Sequence, residues 1–369
     1  MKKIIRTIMI SSVIIILTAC SGKHSAATET SFSEVNSENV STSSELTSET
    51  VSEDTEAVRD IFAMDTYMTV KAYGPNGETA VDAAIEEINR LDALLSTGNE
   101  DSEVARINAN DGGQLSEDGA VLMARSLELY KSTNGAFDVA IYPVMKAWGF
   151  TDGNYQVPDD ETLKSLLKLA DPSLIEYDST TADVNFEEKG VQIDFGGIAK
   201  GYTSSRIMDI YKEKGVTSGL VNLGGNAQVL GTKPDGSLWR VAIQSPDAED
   251  EYLGVLETKD RAIITSGGYE RYFEKDGVTY HHIIDPATGY PAENGLISVT
   301  IVSADGTLAD GLSTSLFVMG KDKAVDYWRA HSDEFDMILL TDDEQLYVSE
   351  GIKDSFTSDR DVNIVEKDD

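Results

Sequence analysis

From Gly190 to Leu340 the chain is dominated by apolar runs of four to six residues, broken by glycine and polar turns, and runs this short favour strands. Six of them stand out: Val191 to Phe195, Gly219 to Leu223, Trp239 to Ile243, Ala262 to Thr265, Ile297 to Val302 and Met337 to Leu340. Helical spacing interrupts them at about Thr203 to Lys214, Ala309 to Met319 and Asp322 to Ala330. Upstream, Met68, Val70 and Ala72 alternate with polar residues as a strand, and Gly74-Pro75-Asn76-Gly77 forms a turn. Three amphipathic stripes follow. Val81, Ala84, Ile85, Ile88, Leu91 and Leu95 make the first; Ala120, Met123, Ala124, Leu127 and Tyr130, stopping near Asn134-Gly135, the second. Leu163, Leu166, Leu167 and Ala170, after Asp159-Asp160, make the third. The pattern predicts one large α+β domain over residues 57–365, a mixed or antiparallel sheet with flanking helices and no internal repeat.

The first 56 residues read differently. Lys2, Lys3 and Arg6 precede an apolar stretch, Ile8 to Leu17, that is shorter than a membrane span. Leu17-Thr18-Ala19-Cys20 then resembles a lipobox, which predicts a lipoprotein signal peptide over residues 1–19 and diacylglycerol on Cys20. The alternative is a plain secretory signal or an uncleaved anchor with Cys20 incidental. Cys20 is the single cysteine, so no disulfide forms within the chain. Beyond it, residues 21–56 are rich in Ser, Thr, Glu and Asn, too poor in apolar surface to offset ordering entropy, and read as a disordered tether. The expected address is the extracytoplasmic face of the cell membrane. The formal charge of −35 becomes −38 once residues 1–19, with three cations and no anion, are removed. Nucleic acid is excluded as a natural partner, and an anionic ligand requires a local cation.

Several segments carry chemistry. Asp194-Phe-Gly-Gly-Ile-Ala-Lys200-Gly-Tyr lies between a predicted strand and a predicted helix, where backbone N–H groups cradle a phosphate and Lys200 adds a point charge; a tight turn with a solvated Lys200 is the alternative. Asp310, Ser313 and Thr314 share one helical face and form a hard oxygen set suited to magnesium, or else ordinary helix capping. His282 precedes Ile283-Ile284-Asp285-Pro286-Ala-Thr288-Gly289, read as a strand running into a turn, and is a candidate general base whose neighbour His281 faces the other way. Val221-Asn222-Leu-Gly-Gly225-Asn226 and Thr265-Ser-Gly-Gly-Tyr269-Glu-Arg271 hold glycine beside polar residues, as backbone close to a ligand does. Gly135-Ala136-Phe137-Asp138, Tyr142-Pro143 and Trp148-Gly149-Phe150 add aromatic surface suited to a planar ring or to a core.

In order and spelling these segments resemble one family, the FAD:protein FMN transferases, also called the ApbE or flavin transferase family. The resemblance runs from about Met64 to Thr341, through MDT, LST..DSEV..IN, GAFD, WGF, DFGGIAKGY, VNLGGN, TSGGYERYF, HIIDPATGYP and ADGLSTSLFVMG. It implies an ApbE-like, T-fold-related architecture. It also implies that Asp194 and Lys200 contact FAD, that Met64, Ala136, Phe137, Asp138 and Ile284 meet the flavin nucleotide, and that magnesium is held by the Gly197 carbonyl, Asp310, Ser313 and Thr314. His282 is then the base, with Asp285 as its assistant. Many members carry an aromatic residue near the ring where this chain has Gly98, leaving Tyr67, Phe137 or Tyr269 as substitutes, and Ser313 is aspartate or alanine elsewhere. The implied reaction is magnesium-dependent transfer of FMN from FAD to a threonine or serine hydroxyl of an exported redox protein carrying a flavinylation motif, with release of AMP. Two alternatives remain open at this point: hydrolysis of FAD to FMN and AMP, and a non-enzymatic FAD-binding lipoprotein.

Overall fold

The computed structural model describes residues 52, 54–246 and 251–367. The signal segment, Cys20 and nearly all of the tether therefore lie outside the described residues. Among the described residues no helix is long and apolar enough to cross a membrane.

Nine strands form the central sheet in the order Glu56–Ala63, Thr66–Tyr73, Gly219–Leu223, Asn226–Leu230, Arg261–Gly267, Leu296–Ser303, Phe335–Thr341, Leu346–Ser349 and Val362–Val365. Every neighbouring pair is antiparallel except the last, which is parallel, so the sheet is mixed. Among the described residues eight α-helices accompany it: α1 Gly77–Leu95, α2 Glu103–Ala109, α3 Glu117–Ser132, α4 Tyr142–Trp148, α5 Asp160–Leu166, α6 Ala199–Glu213, α7 Gly306–Met319 and α8 Lys321–His331.

Strand periodicity divides the core into layers. Ala262, Ile264, Val299 and Ile301 face a core shared with Leu308, Leu312, Leu316 and Phe317 of α7 and Trp328 of α8. Met68, Val70 and Ala72 pack with Val81, Ala84 and Ile88 of α1 and Ile207 and Tyr211 of α6. On the opposite face, Leu220, Val229, Ile263 and Val302 meet Trp239, Val241, Ile243 and Leu256 of a smaller sheet, strands Trp239–Gln244, Tyr252–Thr258 and Phe356–Thr357. Helix α7 is buried along most of its length, as its nearly all-round apolar sequence demands. Each of Leu312, Leu316 and Phe317, withdrawn from water, contributes about 2 kcal/mol.

Two expected strands are absent. Val191 to Phe195 is extended but pairs with no strand: the Asn108 side chain brackets Ile193, donating to its carbonyl at 2.8 Å and accepting its N–H at 2.7 Å, while Asp194 N–H donates to the Val139 carbonyl at 2.9 Å. With its backbone partly satisfied in this way, the buried run of Val191, Ile193 and Phe195 needs no ladder. The segment after His282 likewise makes a single bridge, Ile284 to Pro291, and the strand ends before it, at His281. The third stripe is helical only to Leu166, where α5 stops.

Candidate active site

The two chemistry-bearing helices meet at a pair of glycines. A Cβ on Gly201 would lie 2.1 Å from the Gly306 carbonyl oxygen and 2.6 Å from the Asp310 Cβ, so only glycine permits this approach of α6 to α7. The start of α6 has no side-chain cap from its own chain neighbours. Asp310 supplies one from α7 instead: its Oδ2 accepts the Gly201 N–H at 2.8 Å and its Oδ1 accepts the Asn226 Nδ2 at 3.0 Å. The cap of α7 itself is Asp305, whose side chain accepts from Leu308 N–H. Asp310 thus does not cap its own helix. Its carboxylate, only 5 % exposed, is pushed up by burial and drawn back by Lys200, the α6 N–H groups and Asn226.

The rest of the oxygen set lies on the same helix. Ser313 Oγ donates to the Asp310 carbonyl at 2.8 Å and meets Ser266 Oγ at 2.8 Å, while Thr314 Oγ1 lies 3.4 Å from the same Ser266 hydroxyl. Each Asp310 oxygen takes one N–H and keeps further acceptor capacity, and Thr314 is the looser of the two hydroxyls. Among the described residues no group of three or more His, Cys, Asp or Glu side chains stands together. One carboxylate and two hydroxyls form a hard, sparse donor set that fits magnesium, an ion that leaves most of its positions to water and phosphate oxygens.

Lys200 occupies the first turn of α6, and its ammonium has no ion pair or hydrogen bond among the described residues. Its charge acts on Asp310, on Glu270 and on His282. Glu270 is pushed up to about 7 by burial, with Asp310 reinforcing and Lys200 and Arg271 opposing. His282 follows the strand Val278–His281; its Nδ1 lies 3.1 Å from the Arg271 carbonyl, and its backbone N–H donates to that same oxygen at 3.0 Å. Burial, followed by the Arg271 charge, pushes the imidazole down to about 3, so it is neutral and able to accept a proton. His281 turns the other way, toward the Ala292 carbonyl and the Phe317 ring.

The remaining expected residues divide. Phe137 packs against Gly197, where a Cβ would lie 3.0 Å from its ring, and the N–H of neighbouring Asp194 binds the Val139 carbonyl beside Asp138. Asp138 is buried, accepts the Ala140 N–H at 2.7 Å, and is pushed up to about 7 by that burial. Asp194 accepts the Gly196 N–H and is also raised by burial, with Arg271 opposing. Ala136 precedes them, half-buried on the same loop. Met64 and Asp65 form the two-residue turn between the first two strands, both at positive φ, 48° and 58°, a conformation that non-glycine residues seldom hold; the Thr203 hydroxyl of α6 lies 3.9 Å from Met64 Sδ.

Other residues stand apart. Asp285 gives its carboxylate to the Ala287 N–H at 2.9 Å and organises the following turn; no bond joins it to His282 among the described residues. Ile284 and the Trp148-Gly149-Phe150 segment belong to an aromatic core with Phe273, Tyr280 and Tyr290, so this aromatic surface is packing, and it backs the His282 strand through the Phe150 carbonyl, which accepts from Arg271. Gly98 is exposed, its N–H donating to the Ser96 hydroxyl at 3.2 Å. Tyr67 is exposed on the sheet face opposite Met68, stacked edge-on with Phe62 at 5.1 Å, whereas Phe137 lies beside Gly197.

Comparison with known proteins decides the family: the ApbE family profile matches residues 64–339. The chain belongs to the ApbE family. It is 33% identical over 290 residues to the FAD:protein FMN transferase of Klebsiella pneumoniae, covering 78% of this chain and 89% of that one. The similarity to the Treponema pallidum protein of the same name is also 33%, over 313 residues, covering 78% and 85%. Among solved structures, the ApbE protein of Thermotoga maritima superposes with a TM-score of 0.77 at 33% identity, over 82% of this chain and 99% of the other. The flavin transferase ApbE of Vibrio cholerae gives 0.73 at 27% identity, over 82% and 99%.

Within this ApbE-family site, sequence reasoning alone missed Asn226, Ser266, Glu270 and Asn108 as individuals. Asn226, Ser266 and Glu270 sit inside glycine-rich segments already singled out, VNLGGN and TSGGYERYF; the two-residue Gly224-Gly225 turn is what starts a strand at Asn226 and aims its amide at Asp310. Asn108 lies in the LST..DSEV..IN segment, 85 residues from the backbone that it holds.

Proposed function

We propose that this ApbE-family protein is an FAD:protein FMN transferase that requires magnesium and modifies a threonine or serine of an exported acceptor. The observation that carries the reading is the Asp310 carboxylate seated on the Gly201 N–H at 2.8 Å, next to Lys200 at the start of α6, with the Lys200 charge acting on both Asp310 and His282. The names of the relatives support the same substrate pair.

Asp310 and Thr314, with the Gly197 carbonyl and Ser313, would hold the magnesium ion. When bound, that ion supplies positive charge to the pyrophosphate of FAD. Lys200 and the N-terminal end of α6 bind and orient the same phosphates, a local attraction that overcomes the anionic surface. Phe137 and Met64 line the flavin end, and His282 takes the proton from the acceptor hydroxyl. That oxygen forms a bond to the FMN phosphorus, the anhydride P–O bond breaks, and AMP leaves with the electron pair. Arg271 fixes the imidazole through its carbonyl and, by its charge, keeps it neutral before substrate arrives.

Hydrolysis of FAD uses the same groups with water as the acceptor, and the exposed Gly98, where many family members carry an aromatic residue, favours keeping it as a second reading. One experiment separates the two. The protein is incubated with FAD, magnesium and an acceptor carrying a flavinylation motif, and protein mass and nucleotides are measured. Transfer gives one FMN added per acceptor with equal AMP; AMP without modified protein means hydrolysis; unchanged FAD ends both readings. The lipid on Cys20 and the membrane surface belong to the same proposal, since the acceptors are exported.

A further inference from the structure

At the end of the sheet opposite the Met64 and Gly224 turns lies a second cavity, of about 420 Å³. Strands of five to eight residues separate it from the active site, a distance of roughly 20 Å. Its walls are Tyr73, Thr217, Ser218, Gly231, Thr232, Lys233, Pro234, Gly236, Lys259 and Asp260. Two lysines, Lys233 and Lys259, line this cavity, and neither side-chain ammonium has a hydrogen bond or ion pair among the described residues. That is notable in a chain of net charge −35, where carboxylates outnumber cations about two to one.

The nearby carboxylates are already engaged. Asp260 Oδ1 accepts the Gly231 N–H at 2.7 Å, and Asp235, whose charge is coupled to Lys233, accepts the Ser237 N–H and hydroxyl at 2.9 and 2.6 Å. Tyr73 forms one wall with its ring, since its hydroxyl donates to Glu56 at 2.8 Å, and Lys71 neutralises that Glu56. Ser218 is buried, and its Oγ has no hydrogen-bond partner. The lining is thus cationic and hydroxylic, and the volume exceeds what one water or a single carboxylate fills.

We infer that this cavity is a binding site for the phosphate group of a small solute, held between Lys233 and Lys259 and walled by Thr217, Ser218 and Thr232. Lysine ammonium groups serve as point-charge phosphate ligands, and hydroxyls take the remaining oxygens. The site is independent of the catalytic cleft and of the reading given to it.

Calorimetric titration of the mature chain with inorganic phosphate, at ionic strength held constant with sodium chloride, tests the proposal. One saturable site is expected that survives Lys200→Gln and weakens about tenfold in Lys233→Gln and again in Lys259→Gln, the scale of a lost charge-assisted hydrogen bond. Both lysines are at the surface, so these variants fold, and a matched thermal transition confirms it. Titration with AMP distinguishes a phosphate ester, bound at the same lysines, from the free ion. The proposal is overturned if chloride alone reproduces the heat, if both lysine variants bind like the parent, or if binding vanishes in Lys200→Gln, which would assign the phosphate to the catalytic cleft.

Discussion

Asp310 caps α6 across a helix boundary, and under the proposed function the same carboxylate also holds the magnesium ion. Asp310→Ala removes both, and magnesium-dependent FMN transfer is expected to fall at least a thousandfold, the scale of losing a preorganised electrostatic group, as followed by AMP release. His282 predicts a pH signature. In the free enzyme its imidazole sits at about 3, so kcat/KM for FAD should show no acid limb near pH 6.5. Burial is the main cause of that depression and the Arg271 and Lys200 charges add to it; bound pyrophosphate neutralises the charges, so the acid limb of kcat should lie at higher pH than that of kcat/KM, and coincident limbs would remove His282 from the role of base. Asp138 acts on stability instead. Its folded value of about 7 stands above the unfolded value near 3.9, so the contribution is complete below about pH 4 and is lost as pH rises through 7, on the order of 4 kcal/mol. The depressed His282 works in the opposite direction, costing stability as pH falls through 6.5. Asp138→Asn keeps the acceptor for Ala140 and should raise Tm at pH 8 while leaving it nearly unchanged at pH 4.

At the scale of elements, the α6–α7 crossing sets the geometry of the whole site. Gly201→Ala forces a methyl group onto the Gly306 carbonyl and the Asp310 Cβ, and the helices must separate. The expected cost is about 3 kcal/mol, read from the midpoint of urea unfolding, with transfer activity lost in the fraction that remains folded, because Asp310 no longer reaches the start of α6. The hairpin turn at Met64 and Asp65 is the other element under local tension, two non-glycine residues at positive φ beside Thr203 of α6. It is positioned by burial of Ala63 and Met68 on either side, which leaves the turn little freedom to relax.

At the scale of the whole molecule, an acidic domain is expected to be held near acidic membranes by lipid, because its own charge would repel them. Cys20→Ala should shift the protein from the membrane fraction to the medium, with transfer to a soluble acceptor unchanged; retention in the membrane would show that the lipobox reading is mistaken.

Much of this was written in the sequence. Glycine-broken apolar runs gave five of the six expected strands from Gly219 to Leu340 and Met68 to Ala72, and helical stripes gave α1, α3 and the helices after Gly190, because side-chain period is a local property that each segment carries alone. Local reading failed where the partner was distant: Val191 to Phe195 has strand composition, yet Asn108 satisfies its backbone, and nothing in the run itself announces that. The motif residues Lys200, Asp310 and His282 were legible as candidates, since glycine turns and hydroxyl-rich helix faces are visible in one dimension. Tertiary structure alone decided that Asp310 caps α6 and not α7, that Asn226 completes it, that Asp285 stays within its own turn, and that the Trp148 segment is core. The Asp310, Asn226 and Trp148 contacts depend on which groups burial brings within hydrogen-bond reach across 80 residues or more of chain, and distance in space is not encoded by the spacing of residues along it.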